Sequence, residues 1–303
     1  IKKIIFRNIA LLFVEIFISN YLEFKARNLI KKIKPKLVIT NGDHTKLGRA
    51  ITCAANNLNI KTILFCNEWP TRAIIPILSK TILIWNEDVL NEMKKYQNSF
   101  KNKVKFYIVG NGQLNNLIKK DTSEVIDKGV LKNNIIFFSE YIPSFSHLIN
   151  EQIIQTNKWL LECADTFRDW NILIKMRPNK HVKKLPGEEI LEKRKNIRII
   201  RDNLSFDEVV LNSNNKIFLS LSSISLFIAA GLNKNSFRVN VGEYHYRIPV
   251  LDDVVPTVKT PAELKDKYSK NKVIPIYNKF PYSANFTNRV CDLINKELLN
   301  LIN

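Results

Sequence analysis

Short runs of apolar residues alternate with helical patterns along nearly the whole chain, and this alternation constrains the fold more than any other feature. The runs lie at 37–40, 62–66, 81–85, 104–109, 134–138, 172–176, 197–200, 216–221 and 237–241. Strands that are apolar on both faces belong in parallel sheets covered by helices on both sides. We therefore predict an α/β fold with two doubly wound, Rossmann-like domains, 1–128 and 129–303, that face a cleft.

The chain also carries a large positive charge. Its 47 Lys and Arg residues outnumber 28 Asp and Glu residues and give a net charge of +19. Such an excess favours an anionic partner, for example nucleic acid, an acidic membrane, or a phosphorylated or acidic sugar. The aromatic residues lie mostly within the apolar runs instead of between Lys and Arg, and no nucleic-acid-binding motif is present. We therefore expect no nucleic-acid partner.

Cysteines and carboxylates show no pattern typical of a metal site. The four cysteines form neither a CxxC pair nor a cluster with histidine at zinc-ligand spacing, so we expect reduced core thiols. Asp252 and Asp253 are adjacent and do not form the Asp-x-Asp arrangement that holds a divalent ion, and we predict no metal. The apolar run 9–18 is interrupted by Glu15 and lacks a cleavage site after it, which predicts a cytoplasmic protein.

Residues 1–34 have a helical pattern with an apolar face and basic ends. A helix of this kind can lie in the interface of an anionic membrane, which would make the protein peripheral on the inner membrane. It can equally pack on the sheet of its own domain and leave its lysines in water. Both interpretations stay open, and they do not exclude each other.

The stretch 216–231 predicts a buried strand, a serine-rich turn and a short apolar helix that ends at Gly231. The first turn of a helix leaves N–H groups without partners and carries the positive end of the helix dipole, so it can bind a phosphate. The hydroxyls of Ser222, Ser223 and Ser225 would add donors. The alternative interpretation is that one of these serines only caps a core helix.

Basic residues lie at the end of a second predicted strand of the domain 129–303, at 172–176. Lys175 and Arg177 lie on either side of its last residue, and Pro178 follows. Carboxyl ends of parallel strands meet at one edge of a sheet, so we expect this end and the serine turn to face one crevice. Lys175 and Arg177 would then neutralise a bound phosphate.

These motifs resemble those of the metal-independent nucleotide-sugar glycosyltransferases of the two-Rossmann, GT-B type. Within that type the likeness is to the bacterial capsule and lipopolysaccharide sialyl-, polysialyl- and Kdo-transferases. Those enzymes carry a Ser-Ser or Ser-Thr pair after one strand of the second domain and a His-Pro pair after another, both near the CMP phosphate. Ser222-Ser223 matches the first pair. Pro178 matches the second pair in part, since Arg177 stands where those enzymes have histidine.

The resemblance implies an inverting, metal-independent glycosyltransferase. It would move an acidic sugar of the sialic acid or Kdo type from a CMP donor to a glycan or glycolipid acceptor of the bacterial surface. The nucleotide sugar is then a co-substrate, and no separate cofactor is expected. Alternatives are a UDP-sugar transferase or UDP-sugar 2-epimerase of the same fold, or a basic nucleic-acid-binding protein.

Four further residues receive roles in this interpretation. The family's acidic motif, which supplies the general base, is similar to Asn41-Gly42-Asp43-His44. Asp43 would take the proton of the acceptor hydroxyl, and His44 is the second candidate. Asp43 could instead cap the helix that follows. His245 follows a strand and is flanked by two tyrosines, and together with the nearby Glu243 it is expected to touch the nucleobase or ribose.

Overall fold

The computed structural model describes residues 2–42, 45–66, 77–95, 104–121, 133–139, 147–176, 184–185, 187–201, 205–212, 215–241, 255–270 and 285–299. The chain divides into two compact units. Unit 1 consists of Ile1–Gly112 and Asn285–Asn303, and unit 2 consists of Gln113–Ala284. No helix of the described ranges is long and apolar enough to cross a membrane.

Unit 1 contains a parallel sheet of four described strands in the order β1-β2-β3-β4. Its elements are α1 (Lys2–Ile33), β1 (Leu37–Thr40), α2 (Lys46–Asn57), β2 (Lys61–Phe65), β3 (Thr81–Ile84), α3 (Glu87–Lys94), β4 (Lys105–Ile108) and α10 (Phe286–Leu299). The predicted helix at residues 1–34 is confirmed by α1. It packs against α2 through Ala26 and Ile30, which contact a patch of alanines that includes Ala54.

Unit 2 contains a parallel sheet of six described strands in the order β10-β9-β8-β5-β6-β7. Its elements are α4 (Gly112–Asp121, which begins at the last residue of unit 1), β5 (Asn134–Phe138), α5 (His147–Thr166), β6 (Asn171–Lys175), α6 (Glu188–Leu191), β7 (Ile197–Ile200), α7 (Phe206–Leu211), β8 (Asn215–Ser220), α8 (Ile224–Gly231), β9 (Asn235–Val239), β10 (Thr257–Val258) and α9 (Pro261–Lys270). The α/β class with two Rossmann-like parallel sheets is confirmed.

The central strands of unit 2 form because their side chains are buried on both faces. Every residue of β5 is buried. One face of the sheet packs on α5 and α9, where Trp159, Cys163 and Leu264 join the core. The register is fixed at the amino end by asparagines: the Asn134 side chain donates to Asn215 at 2.8 Å and accepts from Asn171 at 3.2 Å. These bonds align the first residues of three neighbouring strands.

The last helix belongs to unit 1, whereas the predicted division places it in the domain 129–303. The ring of Phe286 contacts that of Phe65 on β2 edge-to-face, with centroids 5.5 Å apart. Lys61 donates to the carbonyl of Glu297 at 2.8 Å, and its ammonium lies 3.2 Å from the Glu297 carboxylate. These contacts join residues more than two hundred positions apart, which a local pattern does not reveal.

Candidate functional site

The strand order of unit 2 indicates a candidate ligand-binding position beside β8. From β5 the chain moves outward through β6 and β7, and it then returns to the other side of β5 with β8, β9 and β10. The direction therefore reverses between β5 and β8. Ligands of open α/β sheets bind outside the carboxyl ends of the strands at such a reversal. The turn at Leu221–Ser223, which we call the serine turn, directly follows the carboxyl end of β8.

Ser220, the last residue of β8, folds the serine turn. Its side chain is fully buried. Its Oγ accepts hydrogen bonds from the backbone N–H of Ser222 at 3.2 Å and of Ser223 at 2.9 Å. A serine hydroxyl that holds amides two and three residues ahead makes the chain turn within three residues. The three later serines were predicted from the sequence as site residues, and Ser220 was not.

Ser223 is the N-cap of α8. Its backbone is extended, with φ −68° and ψ 138°, and its Oγ accepts a hydrogen bond from the N–H of Ser225 at 3.2 Å. Of the three serines considered, Ser223 is therefore the cap. The first turn of α8 points its N–H groups and the positive end of its dipole towards the serine turn. Capping and phosphate binding are compatible, because both use this end of the helix.

Close packing fixes the position of α8. Its residues Leu226 to Gly231 are all buried. A Cβ atom added to Gly231 would lie 2.9 Å from Cδ2 of Leu114 on α4, so the glycine permits the close approach of the two helices. A rigidly packed helix holds the donors of its first turn in a fixed direction, which favours binding of a ligand without reorganisation.

Arg238 on β9 holds the serine turn from the neighbouring strand. It is the register partner of Ser220 and is 2% exposed. Its Nε donates a hydrogen bond to the carbonyl oxygen of Leu221 at 2.6 Å. No role was predicted for Arg238 from the sequence, although an arginine within the predicted strand 237–241 is a usable signal. Arginine is rarely buried unless it is paired, so its position indicates a structural or binding role.

Lys175 shares a sheet face with Ser220 and Arg238. It is 7% exposed and ends β6, and its register partner on β5 is Phe138. The ring of Phe138 stacks on that of Phe218 with centroids 6.0 Å apart. Phe218 and Ser220 are two residues apart on β8, so they point to the same face. Lys175 and Ser220 are two strands apart, which corresponds to about 10 Å.

A third cation of this edge is neutralised by a buried carboxylate. Arg201 follows β7 and forms an ion pair with Glu188, which is 4% exposed. The Glu188 carboxylate also accepts the N–H of Leu185 at 2.8 Å. Removal of Arg201 would leave the buried Glu188 carboxylate without its ionic partner, and such a change is destabilising. We therefore assign this pair to the stability of unit 2.

In unit 1, Gly42 and Thr45 of the loop between β1 and α2 are joined by a hydrogen bond. Thr45 caps α2: its Oγ1 accepts the N–H of Gly48 at 3.0 Å and donates to the carbonyl of Gly42 at 3.0 Å. Thr45 therefore occupies the N-cap position of α2, and Asp43 lies outside the described residues. A Cβ atom at Gly48, in the first turn of α2, would lie 1.9 Å from the oxygen of Gly42, so the close approach of this turn to the loop requires glycine.

A pocket of about 540 Å³ opens beside this loop of unit 1. Its polar lining comes from Thr40, Asn41 and Thr45, and its apolar lining includes Ile39 and Leu47, which are 48% and 58% exposed. The pocket lies at the carboxyl end of β1, the edge at which parallel sheets bind ligands.

Four of the predicted site residues lie at the carboxyl edge of the unit 2 sheet: Lys175, Ser222, Ser223 and Ser225. The remaining six lie outside the described residues: Asp43, His44, Arg177, Pro178, Glu243 and His245.

Comparison with solved structures identifies the type of fold to which the two sheets belong. No family model matches the chain. The UDP-GlcNAc 2-epimerase of Neisseria meningitidis, solved with UDP-GlcNAc bound, superimposes with a TM-score of 0.66 at 18% identity, covering 92% of this chain and 81% of that one. The Methanocaldococcus jannaschii UDP-GlcNAc 2-epimerase, solved with UDP-GlcNAc and UDP, superimposes with a TM-score of 0.65 at 16% identity, covering 91% and 80%. The chain has a GT-B type fold.

A curated sequence relative is similar over a shorter stretch. It is the UDP-N-acetylglucosamine-N-acetylmuramyl-(pentapeptide) pyrophosphoryl-undecaprenol N-acetylglucosamine transferase of Caldicellulosiruptor saccharolyticus. The two sequences are 28% identical over 152 residues, which is 50% of this chain. The match spans 39% of the relative's own length.

These comparisons overturn the prediction of a CMP-sugar transferase for sialic acid or Kdo. The sequence relative and both solved structures carry UDP-N-acetylglucosamine in their names. The physical reason for the error lies in the motif that was used. Ser222 and Ser223 were predicted to bind a phosphate, and phosphate is a group that CMP and UDP sugars share, so these serines do not distinguish the nucleotides.

Proposed function

We propose that the chain is an enzyme that binds a UDP-activated N-acetylhexosamine and holds its diphosphate at the serine turn. The observation that carries this proposal is the position of the turn. It follows β8 at the reversal of strand order and caps the amino end of α8 with Ser223. The buried cations Lys175 and Arg238 flank it on the same face of the sheet. The UDP-N-acetylglucosamine proteins of similar fold or sequence support the choice of nucleotide and sugar.

The arrangement suits a reaction in which UDP leaves the sugar. When the bond between the anomeric carbon and the diphosphate oxygen breaks, the electron pair goes to that oxygen and negative charge accumulates on the diphosphate. Preorganised donors and cations that face this charge lower the barrier. The first turn of α8 would supply the donors, and Lys175 and Arg238 would supply positive charge.

Inversion at C2 of UDP-N-acetylglucosamine is the first candidate reaction, because 2-epimerases match the fold over nine-tenths of the chain. Transfer of the sugar to an acceptor is the second candidate, favoured by the sequence relative. Both reactions require proton transfer, and Asp43 and His44 stay our proposed acid–base groups. Glu243 and His245 stay proposed contacts of the nucleoside.

Two measurements test the proposal. Isothermal titration with UDP, UDP-N-acetylglucosamine, CMP and GDP should give binding of the two uridine compounds only. Incubation with UDP-N-acetylglucosamine in D₂O should then place deuterium at C2 if the chain is an epimerase, since that C–H bond breaks and forms again. Release of UDP without deuterium, and only with an added acceptor, identifies a transferase. Absence of binding to UDP and to UDP-N-acetylglucosamine contradicts the proposal.

A further inference from the structure

Exposed large hydrophobic side chains concentrate on α1. Eleven such side chains are more than a third exposed in the described part of the chain, and seven of them lie on this helix: Ile16, Phe17, Ile18, Tyr21, Phe24, Leu29 and Ile33. Scattered exposed apolar residues are ordinary, whereas a concentration of them on one element marks an interaction surface.

The helix has two different faces. Leu22, Ala26 and Ile30 recur every four residues and pack against α2. Phe17, Tyr21 and Phe24 are spaced by four and three residues, so they form one stripe, which lies on the opposite side of the helix. Their exposures are 72%, 51% and 58%. We call these three residues the aromatic stripe.

The charges beside the aromatic stripe are positive. The ammonium of Lys25 lies 5.4 Å from the centre of the Tyr21 ring. Lys31 and Lys32 follow on the same side of the helix, one or two turns further on, and are exposed. A lysine beside an exposed aromatic ring can keep its ammonium in water while its aliphatic stem covers apolar surface.

The acidic residues of α1 are directed away from the stripe and are paired. Glu15 forms an ion pair at 2.6 Å with Lys46 at the start of α2. Glu23 accepts hydrogen bonds from Arg27 at 2.9 Å and from Asn57 of α2 at 2.8 Å. The outer face of the described part of α1 is therefore aromatic and cationic.

We propose that the aromatic stripe of α1 lies in the interface of an anionic membrane. Phenylalanine and tyrosine bury their rings at the level of the lipid head groups, while flanking lysines attract acidic lipids by about 1 kcal/mol each. A second copy of the chain is a poorer occupant, because two faces that both carry Lys25, Lys31 and Lys32 repel each other. This inference is independent of the proposed reaction, and it agrees with the net charge of +19.

Co-sedimentation with vesicles tests the proposal on the full chain. We expect binding to phosphatidylcholine vesicles that contain phosphatidylglycerol, weaker binding to pure phosphatidylcholine, and a loss of binding as salt is raised. Phe17→Ser/Phe24→Ser should weaken binding about tenfold or more, since both rings leave the interface. Lys31→Glu/Lys32→Glu should do the same, because two attractive charges become repulsive.

Matched controls come from unit 2. Ile154→Ser/Ile190→Ser removes apolar side chains that are 46% and 51% exposed, and Lys158→Glu/Lys265→Glu reverses two exposed charges. Both should leave vesicle binding unchanged. Circular dichroism should report native helix content for all four variants, because each replaced side chain is already in contact with water.

Three results would overturn the proposal. The first is equal binding to neutral and anionic vesicles, and the second is an equal loss of binding in the stripe variants and their controls. The third is a native dimer in sedimentation velocity that becomes a monomer in Phe17→Ser/Phe24→Ser without any vesicle binding. That outcome would assign the stripe to a contact between two copies of the chain.

Discussion

Replacement of Ser223 by aspartate separates the two roles of the serine turn, because it keeps the helix cap and adds a negative charge. Ser223 Oγ accepts the N–H of Ser225 at 3.2 Å, and a carboxylate oxygen can accept the same bond. Aspartate and serine are about equally good N-caps. A carboxylate at this helix end also gains about 0.3–1 kcal/mol from the helix dipole. We therefore expect Ser223→Asp to keep the native melting temperature or to raise it slightly.

The same substitution should oppose nucleotide binding. If the diphosphate lies at this end of α8, the new carboxylate would be about 5 Å from a phosphate charge. Two unit charges at that separation repel by about 3 kcal/mol at an effective dielectric constant of about 20, and by about half as much in a more solvated site. Ser223 is half-buried, so we expect a repulsion between these two values. The expected rise in the Kd of UDP is about 15- to 200-fold.

The assay is isothermal titration of UDP into the native chain, Ser223→Asp and Ser223→Asn, with a thermal melt of each. Asparagine caps as well as aspartate but is neutral, so it isolates the effect of charge. Ser223→Asn should bind UDP nearly as tightly as the native chain. If Ser223→Asp and Ser223→Asn bind UDP equally well, the turn does not hold the diphosphate and Ser223 is only a cap.

Three further substitutions or reactions test the structure itself. Gly48→Ala should destabilise unit 1 by about 1–3 kcal/mol in a denaturant titration, because its Cβ would meet a backbone oxygen at 1.9 Å. Gly231→Ala should lower the free energy of unfolding by less, because its Cβ would meet a leucine side chain that can move. Burial raises the pKa of Cys163 to about 12, so at pH 8 a thiol reagent should modify exposed Cys291 rapidly and Cys163 only after unfolding. A hydrogen bond from a backbone N–H lowers the pKa of Glu263 in the folded chain. The stability that this carboxylate contributes should be present above its unfolded pKa and be lost as pH falls through its folded pKa. Glu263→Gln should therefore make the melting temperature less dependent on pH in the acid range.

The strands of both sheets could be predicted from the sequence because their residues are apolar on both faces. The runs at 37–40, 134–138 and 197–200 coincide with β1, β5 and β7. β10 has only two residues, Thr257 and Val258, and was missed because so short a run has no periodicity. The grouping of α10 with unit 1 was also missed, since it depends on contacts such as Phe286 with Phe65.

The candidate site was predictable where its residues are close in sequence. Serines that follow a buried strand and precede an apolar helix indicate a capped turn, and the structure has that turn at Leu221–Ser223. Arg238 was not predicted to act there. It reaches Leu221 only because β9 lies beside β8 with Arg238 in register with Ser220, and strand register is a property of the folded sheet.

The serine turn is held by three separate parts of the chain, and this bears on how it would bind a diphosphate. Ser220 holds two amides from within β8, Arg238 holds the Leu221 carbonyl from β9, and packing at Gly231 fixes the far end of the helix. The amides of Ser222 and Ser223 already donate to a neutral hydroxyl. The N–H groups of the first turn of α8 would then be the donors to a phosphate oxygen, and such charge-assisted hydrogen bonds are roughly twice as strong as neutral ones. Because Ser220, Arg238 and the packing of α8 already keep the backbone in place, little of the binding energy would be lost to ordering the turn.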